Sequence, residues 1–257
     1  MVAKLKMVCN DHLHHTQYKF KQVKPVDILA VIRQQIKILA AQKELDRLGT
    51  EMKEEFRDVF SEIPHADELP SNVFCWIKLK DASKTVQTQS YMTPRKYRKA
   101  WAILIRQHLD TGHICPSNSE HASPAFIVPK TDITVLPRWV NDYKILNTNT
   151  ILDAHPLPPV DDILADCAKG RIWSKLDMTN SFFQTRMHPD NLHLTAVKTP
   201  FGLYEWLAMP MGLHNSPPIH QQWMTAALCE LLGKICHIYL DDIVIWSNTV
   251  EQHTEHI

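Results

Sequence analysis

Glycine is scarce in this chain, with six residues in 257 against sixteen prolines. A chain so composed turns at many fixed points, because each proline locks its own φ. An excess of charge is also missing, since 28 Lys and Arg balance 28 Asp and Glu. Zero balance is a poor global match to a nucleic-acid binder, although acids gathered at one site would themselves pull the total down. No Cys-x-x-Cys pair occurs among Cys9, Cys75, Cys115, Cys167, Cys229 and Cys236, so a zinc knuckle is not indicated. Scattered thiols fit a reduced, intracellular protein. Cys9, His12, His14 and His15 lie together, but no second ligand cluster stands nearby at finger spacing. No window approaches the ~20 apolar residues of a membrane span, and no basic stretch followed by an apolar one marks a signal peptide. Internal repeats and low-complexity tracts are absent. At 44% hydrophobic, the chain can bury one large core or two modest ones.

Periodicity gives the local plan. Residues 1 to about 24 are polar and histidine-rich, and read as loose. Ile28, Leu29, Ile32, Ile36, Leu39, Ala40 and Leu45 recur at helical spacing from Pro25 to Leu48, with Gly49 as the stop and a second short helix over Glu51–Phe60. Phe74 to Leu79 reads as a strand. Thr93 as cap, Pro94 in the first turn and Gly112 past the end bound a helix whose Trp101, Leu104 and Ile105 face inward. Ala125–Val128 and Trp139–Val140 read as paired strands, and Pro158–Ala168 as a short helix. Ala196–Val197 and Leu203–Trp206 read as a hairpin turning at Pro200-Phe201-Gly202. A helix from Pro217 to Leu232, closed by Gly233, leads into the last strands. Helices alternate with mostly antiparallel strands, an α+β pattern.

The most informative segment is Ile235-Cys236-His237-Ile238-Tyr239-Leu240-Asp241-Asp242-Ile243-Val244-Ile245-Trp246. Isoleucine, valine, tyrosine and tryptophan favour strands and aspartate does not, so the pair of acids marks a tight hairpin tip. An isolated Asp-Asp is most often a polar turn. A third acid argues for more: Asp177 ends a second strand-like run that begins after Gly170. If the two strand ends converge, three carboxylates form one acidic cup. Such a cup suits hard cations with oxygen ligands, such as magnesium. Two ions about 3.5–4 Å apart can hold the attacking and leaving oxygens of a phosphoryl transfer.

These residues resemble a known family. Tyr239-Leu240-Asp241-Asp242 resembles the Tyr-x-Asp-Asp box of reverse transcriptases. Ser174-Lys175-Leu176-Asp177, with Phe182 and Gln184, resembles the first catalytic motif of gypsy-type long-terminal-repeat retrotransposons. Tyr204 to Leu213 is similar to the middle motif, continued by Asn215-Ser216-Pro217 and Gln221. Ala122-Ser123-Pro124-Ala125, Asn141 to Asn147 and His155-Pro156-Leu157-Pro158 also match. The likeness runs in register from about residue 54 to 257.

The resemblance implies the fingers and palm of a right-handed polymerase: an N-terminal helical extension over 1–60 and a reverse transcriptase domain over 61–257. Fingers would span about 85–155 and 186–214, palm about 156–185 and 215–257. It implies RNA-directed DNA polymerase activity, in which a primer 3′-hydroxyl attacks the α-phosphate of a deoxynucleotide with two Mg2+ ions (Mn2+ as substitute). Asp177, Asp241 and Asp242 would be the catalytic, metal-holding carboxylates. Phe182 would stand against a ribose 2′-hydroxyl, and Lys130 and Arg138 would meet the triphosphate. Met211 and Gly212 would lie near the nascent base pair, and Tyr239 against the primer end. The implied partners are an RNA or DNA template with its primer and a dNTP. The acid-free stretch from Lys84 to Arg106 could track a phosphate backbone or be a solvated helix face.

Some positions depart from the pattern. Ile133-Thr134-Val135-Leu136-Pro137 replaces a shorter glycine-containing turn, which leaves the fingertip hairpin and the reach of Arg138 open. Lys144 replaces an arginine. Pro218 and His220 replace a small residue and an aromatic; Pro218 is tolerable only if it shares the first helical turn with Pro217. The likeness stops short of the thumb, ribonuclease H and integrase regions, which would stand in the same polyprotein, so a thumbless palm and weak extension by the isolated chain are expected. The alternative reading is a truncated or domesticated fragment that keeps the fold and binds nucleic acid without turnover. An unrelated protein with a metal-binding turn is the third.

Overall fold

The computed structural model describes residues 28–57, 65–70, 72–132, 134–178 and 180–257. The chain divides into two compact units, residues 1–61 and 62–257. The histidine-rich start, with Cys9, His12, His14 and His15, lies outside the described residues, as does the end of the segment expected to be a second helix.

In the first unit the expectation of two helices is corrected. Helix α1 runs unbroken over Ile28–Glu55, straight through Gly49. A glycine inside a helix costs about 1 kcal/mol against alanine but does not end it, and side-chain pairs bridge the weak point. Arg47 bonds both Glu44 and Glu51, and the Thr50 hydroxyl donates to the Asp46 carbonyl at 2.9 Å.

Among the described residues the second unit holds three sheets. Strands β1 (Phe74–Cys75) and β6 (Arg186–Met187) form a short parallel pair. The strand expected over Phe74–Leu79 is therefore two residues long, because its partner offers only two. A five-stranded sheet has the order β2-β8-β7-β3-β4, built from Ile114–Pro116, Gly202–Trp206, Val197–Thr199, Ser123–Val128 and Arg138–Asn141 respectively. Only β3 and β7 run parallel within it. Gly202, at φ +143, closes the β7–β8 hairpin. A three-stranded antiparallel sheet has the order β5-β10-β9, from Ile172–Asp177, Asp242–Ser247 and Cys236–Tyr239.

Helix α2 (Arg98–Asp110), entered through a 3-10 turn at Arg95–Tyr97, buries Trp101, Leu104 and Ile105. Neither element start carries a side-chain cap, so Thr93 does not act as one. These residues join Trp139, Phe183 and Trp206 in the main core, where the Phe183 and Trp206 rings stack at 5.4 Å. The short α3 (Lys144–Asn149) buries Leu146 and Asn149.

Two helices cover opposite faces of the three-stranded sheet. On one face α4 (Val160–Cys167) buries Ile163 and Cys167 against Trp246 and Val244. On the other, α6 (Val250–His256) sends His253 between the strands. Its Nε2 lies 2.8 Å from Ser174 Oγ of β5, and its Nδ1 lies 3.0 Å from Ser247 Oγ of β10. Helix α5 (Ser216–Ala227) packs on β9, and both Pro217 and Pro218 sit in its first turn, where no N–H is required. It ends at Ala227 rather than Leu232. The chain leaves the helix at Leu228 and closes turns such as Leu231 N–H to Leu228 O (2.9 Å), with Gly233 at φ +73. Those turns reverse the chain into β9.

Candidate active site

The register of β5 and β10 places Asp177 directly opposite Asp242. Residues so paired project to the same face, with Cβ atoms about 4.5–5.5 Å apart. Tyr239 pairs with Asp242 on the other side, so β10 carries its acid between Asp177 and Tyr239. Asp241 sits in the two-residue turn between β9 and β10, and its carbonyl accepts the Met178 N–H at 2.9 Å. Asp177 thus meets the distant Asp241-Asp242 pair at one end of one sheet. Lower on the same face α4 covers Val244 and Trp246, whereas Asp177 and Asp241 are exposed and Asp242 half-buried.

The turn that presents them is strained. Leu240 has φ +56, a region that costs a non-glycine residue about 1–2 kcal/mol. Gln221 of α5, 2% exposed, holds it in place. Its Oε1 accepts the Leu240 N–H at 2.9 Å, and its Nε2 donates to the Ile238 carbonyl at 3.1 Å. The bracing role of Gln221 was not legible in the sequence, where it was only part of a motif.

Lys175 was missed as well. Two residues before Asp177, it shares the open face, and its Nζ lies 2.8 Å from Asp242 Oδ1. That bond is the main cause holding the ammonium pKa above its ordinary value, and Asp177 and Asp241 add to it through space. The ammonium therefore senses all three carboxylates. Among the described residues, no group of three His, Cys, Asp or Glu side chains closes on one point as a finished metal cage does. The three acids share an edge, with Asp242 turned to Lys175.

Phe182 lies in the 3-10 turn Ser181–Gln184 that follows β5, half-buried, with its ring 5.2 Å from that of His220. The residue that replaces an aromatic thus keeps a ring contact. Met211 and Gly212 form a turn clamped from β4 and α3. Asn141 Nδ2 donates to the Met211 carbonyl at 3.2 Å, and Asn147 Nδ2 to the Gly212 carbonyl at 2.9 Å. Gly212 has φ +105, and a Cβ there would stand 2.7 Å from the Asn141 carbonyl oxygen, so only glycine fits. Lys130 and Arg138 are exposed at the tip of the β3–β4 hairpin, where Arg138 pairs with Val128. That hairpin forms despite its longer loop, in which Asp132 Oδ1 accepts the Thr134 N–H (2.9 Å) and hydroxyl (2.6 Å). Arg138 belongs to a different sheet from the acids, and Lys130 to the loop that leads to it.

Comparison with known proteins identifies the family. The family described as reverse transcriptase (RNA-dependent DNA polymerase) matches residues 128–257, just over half of the chain. The retrovirus-related Pol polyprotein from transposon opus of Drosophila melanogaster is 36% identical over 175 residues, 67% of this chain and 17% of that protein. The enzymatic polyprotein of Figwort mosaic virus (strain DxS) is 34% identical over 183 residues, 70% of this chain and 27% of that protein. The chain thus spans only about a sixth to a quarter of these relatives. Among solved structures, the prototype foamy virus protease-reverse transcriptase CSH mutant superposes with a TM-score of 0.71 at 22% identity, covering 91% of this chain and 31% of that one. The foamy viral protease-reverse transcriptase in complex with RNA/DNA hybrid gives 0.62 at the same identity, covering 76% and 24%. At such identity the likeness speaks to the fold.

Proposed function

Because the chain belongs to the reverse transcriptase family, we propose that it is the nucleotidyl-transfer core of an RNA-directed DNA polymerase, and that Asp177, Asp241 and Asp242 carry the reaction. The observation that bears most weight is the register that sets Asp177 against Asp242 beside the Asp241 turn. The donor set fits a hard divalent ion: carboxylate oxygens only, on an open sheet edge. Asp177 and Asp241 would be the principal ligands of two Mg2+ ions, with Asp242 supporting. When bound, such ions would lower the pKa of the primer hydroxyl and offset charge on the triphosphate.

The rest is positioning by the chain's own side chains. Tyr239, next to Asp242 across the sheet, lies where it can flank a primer end. Phe182, held between the core and His220, offers a flat ring against the sugar. The Met211–Gly212 turn lets backbone approach the nascent base pair. Lys130 and Arg138 supply positive charge for the triphosphate, and arginine's planar fork suits paired phosphate oxygens. For the template we note a cleft lined by Tyr91, Arg95, Arg98 and Lys198, which joins two basic residues of the acid-free stretch, Arg95 and Arg98, to Lys198 of β7. The motifs around Asp177 and Tyr204–Leu213 favour a gypsy-type retrotransposon origin within a longer Pol polyprotein. Relatives of comparable identity also occur in mosaic viruses.

Primer extension with Mg2+ or Mn2+ tests this reading. Asp241→Asn should remove extension while leaving circular dichroism and unfolding midpoint near those of the unaltered chain. Extension that survives the substitution counts against the assigned role. Tight primer–template binding with no extension by either protein would favour the alternative, a fragment that binds nucleic acid without turnover.

A further inference from the structure

The polymerase reading leaves Lys175 unused, although it makes the ion pair closest to the acids. It stands on the exposed face of β5, its Nζ 2.8 Å from Asp242 Oδ1. Among the described residues Asp177 and Asp241 make no ion pair at all, so this ammonium is the one cation bonded within the acidic cluster. Three carboxylates gathered at one strand end repel each other. Something must offset that repulsion whenever no divalent ion is present, and Lys175 is placed to do it.

We propose that Lys175 is a tethered counter-ion of the acidic site: it holds Asp242 when the site is free of metal and sets the affinity with which divalent ions enter. The proposal rests on the assignment of these acids as metal ligands. Three carboxylates and one ammonium present a net charge of about −2; without the ammonium they present −3. An incoming divalent ion is repelled by Lys175 and must compete with it for Asp242. One unit charge acting on a divalent ion at contact-plus-water distances in a solvated site amounts to roughly a tenfold effect on affinity. The pairing also divides the work among the acids. Asp242 is claimed by Lys175, which leaves Asp177 and Asp241 as the free ligands. Methionine in place of Lys175 would keep the side-chain volume and remove the charge; arginine would keep the charge.

The test measures Mn2+ binding to the full chain by electron paramagnetic resonance of the free ion, with Mg2+ as competitor, for the unaltered protein, Lys175→Met, Lys175→Arg and the double variant Asp177→Asn/Asp241→Asn. Lys175→Met should bind Mn2+ about tenfold more tightly, and Lys175→Arg should stay within a few-fold of the unaltered protein. In EDTA, Lys175→Met should unfold at a lower temperature than the unaltered protein, and saturating Mn2+ should close the gap. Unchanged or weaker Mn2+ binding by Lys175→Met overturns the proposal, as does a Lys175→Arg variant that behaves like Lys175→Met, or an absence of binding in every protein. The double variant separates the two readings. If it abolishes binding while Lys175→Met changes nothing, only the counter-ion role fails. If it binds Mn2+ as well as the unaltered chain, the carboxylates are not the metal site.

Discussion

Replacing Gln221 with leucine should loosen the acidic turn without touching an acid. The amide is buried and makes two bonds to the β9–β10 hairpin, accepting from Leu240 N–H at 2.9 Å and donating to the Ile238 carbonyl at 3.1 Å. Leucine fills nearly the same space but leaves both backbone groups without a partner. A buried polar group left unpaired costs about 1–3 kcal/mol, so the pair amounts to about 2–4 kcal/mol once some relaxation is allowed. At about 2–4 °C per kcal/mol for a domain of this size, the melting temperature should fall by about 5–15 °C. Part of that energy now holds Leu240 at its positive φ, so the turn should also sample other conformations. Denaturant titration gives the stability change through a shifted midpoint at constant slope, and amide exchange at Leu240 gives the local effect. Primer extension should fall more steeply than stability, because the acids lose their fixed placement. A midpoint within about 0.5 kcal/mol of the unaltered protein, together with unchanged protection at Leu240, would refute the bracing role.

Four further outcomes follow from the same structure. Gly212→Ala should destabilise the fold by about 1–3 kcal/mol, since its Cβ would stand 2.7 Å from the Asn141 carbonyl at φ +105. Gly49→Ala should instead raise helicity and stabilise α1 by about 0.5–1 kcal/mol, because nothing lies within 4 Å of its Cβ; a destabilised Gly49→Ala contradicts this account, and a stabilised Gly212→Ala the other. Burial, and then each one's neighbouring imidazole, holds His108 and His113 down to about 4 from the ordinary 6.5. The unfolded chain therefore takes up protons that the fold refuses, so stability is complete above pH 6.5 and falls as pH drops towards 4, by the order of 3 kcal/mol from His108; a flat profile across that window would show that the pair is not held neutral. Phe182→Ala should relax discrimination between deoxyribo- and ribonucleotides in an extension assay, and an unchanged preference would leave its ring as packing against His220.

Local pattern carried much of the architecture. The strand-favouring run broken by Asp241-Asp242, the turn at Gly202 and the two prolines opening α5 are short-range signals that the fold obeys. The failures have physical causes. Gly49 read as a stop because propensity ignores the Arg47 bonds that bridge it. The strand at Phe74 is short because its length is set by Arg186–Met187, far away in sequence. Nothing local tells that Pro217-rich α5 ends at Ala227, since the turns after it answer to where β9 must begin. For the site, carboxylates breaking strand-like runs pointed to the acids and the resemblance named their part, while the register of two strands shows how they meet. Gln221 and Lys175 remained hidden because a buried amide or an exposed ammonium acquires its task only from what the fold sets beside it.

Strand β10 is the middle strand of its sheet and the sole partner of β5 within it, yet it is the last of the three to leave the ribosome. Until it docks, Asp177 hangs on an unpaired edge and has no fellow acid to face. A polypeptide halted anywhere upstream of Asp242 therefore lacks the strand that sets two acids face to face, whatever else it has folded. On the proposed function, a premature stop codon in such a gene would yield a chain without its assembled acidic site, and no partly made chain could begin work on nucleic acid before translation of this segment is finished.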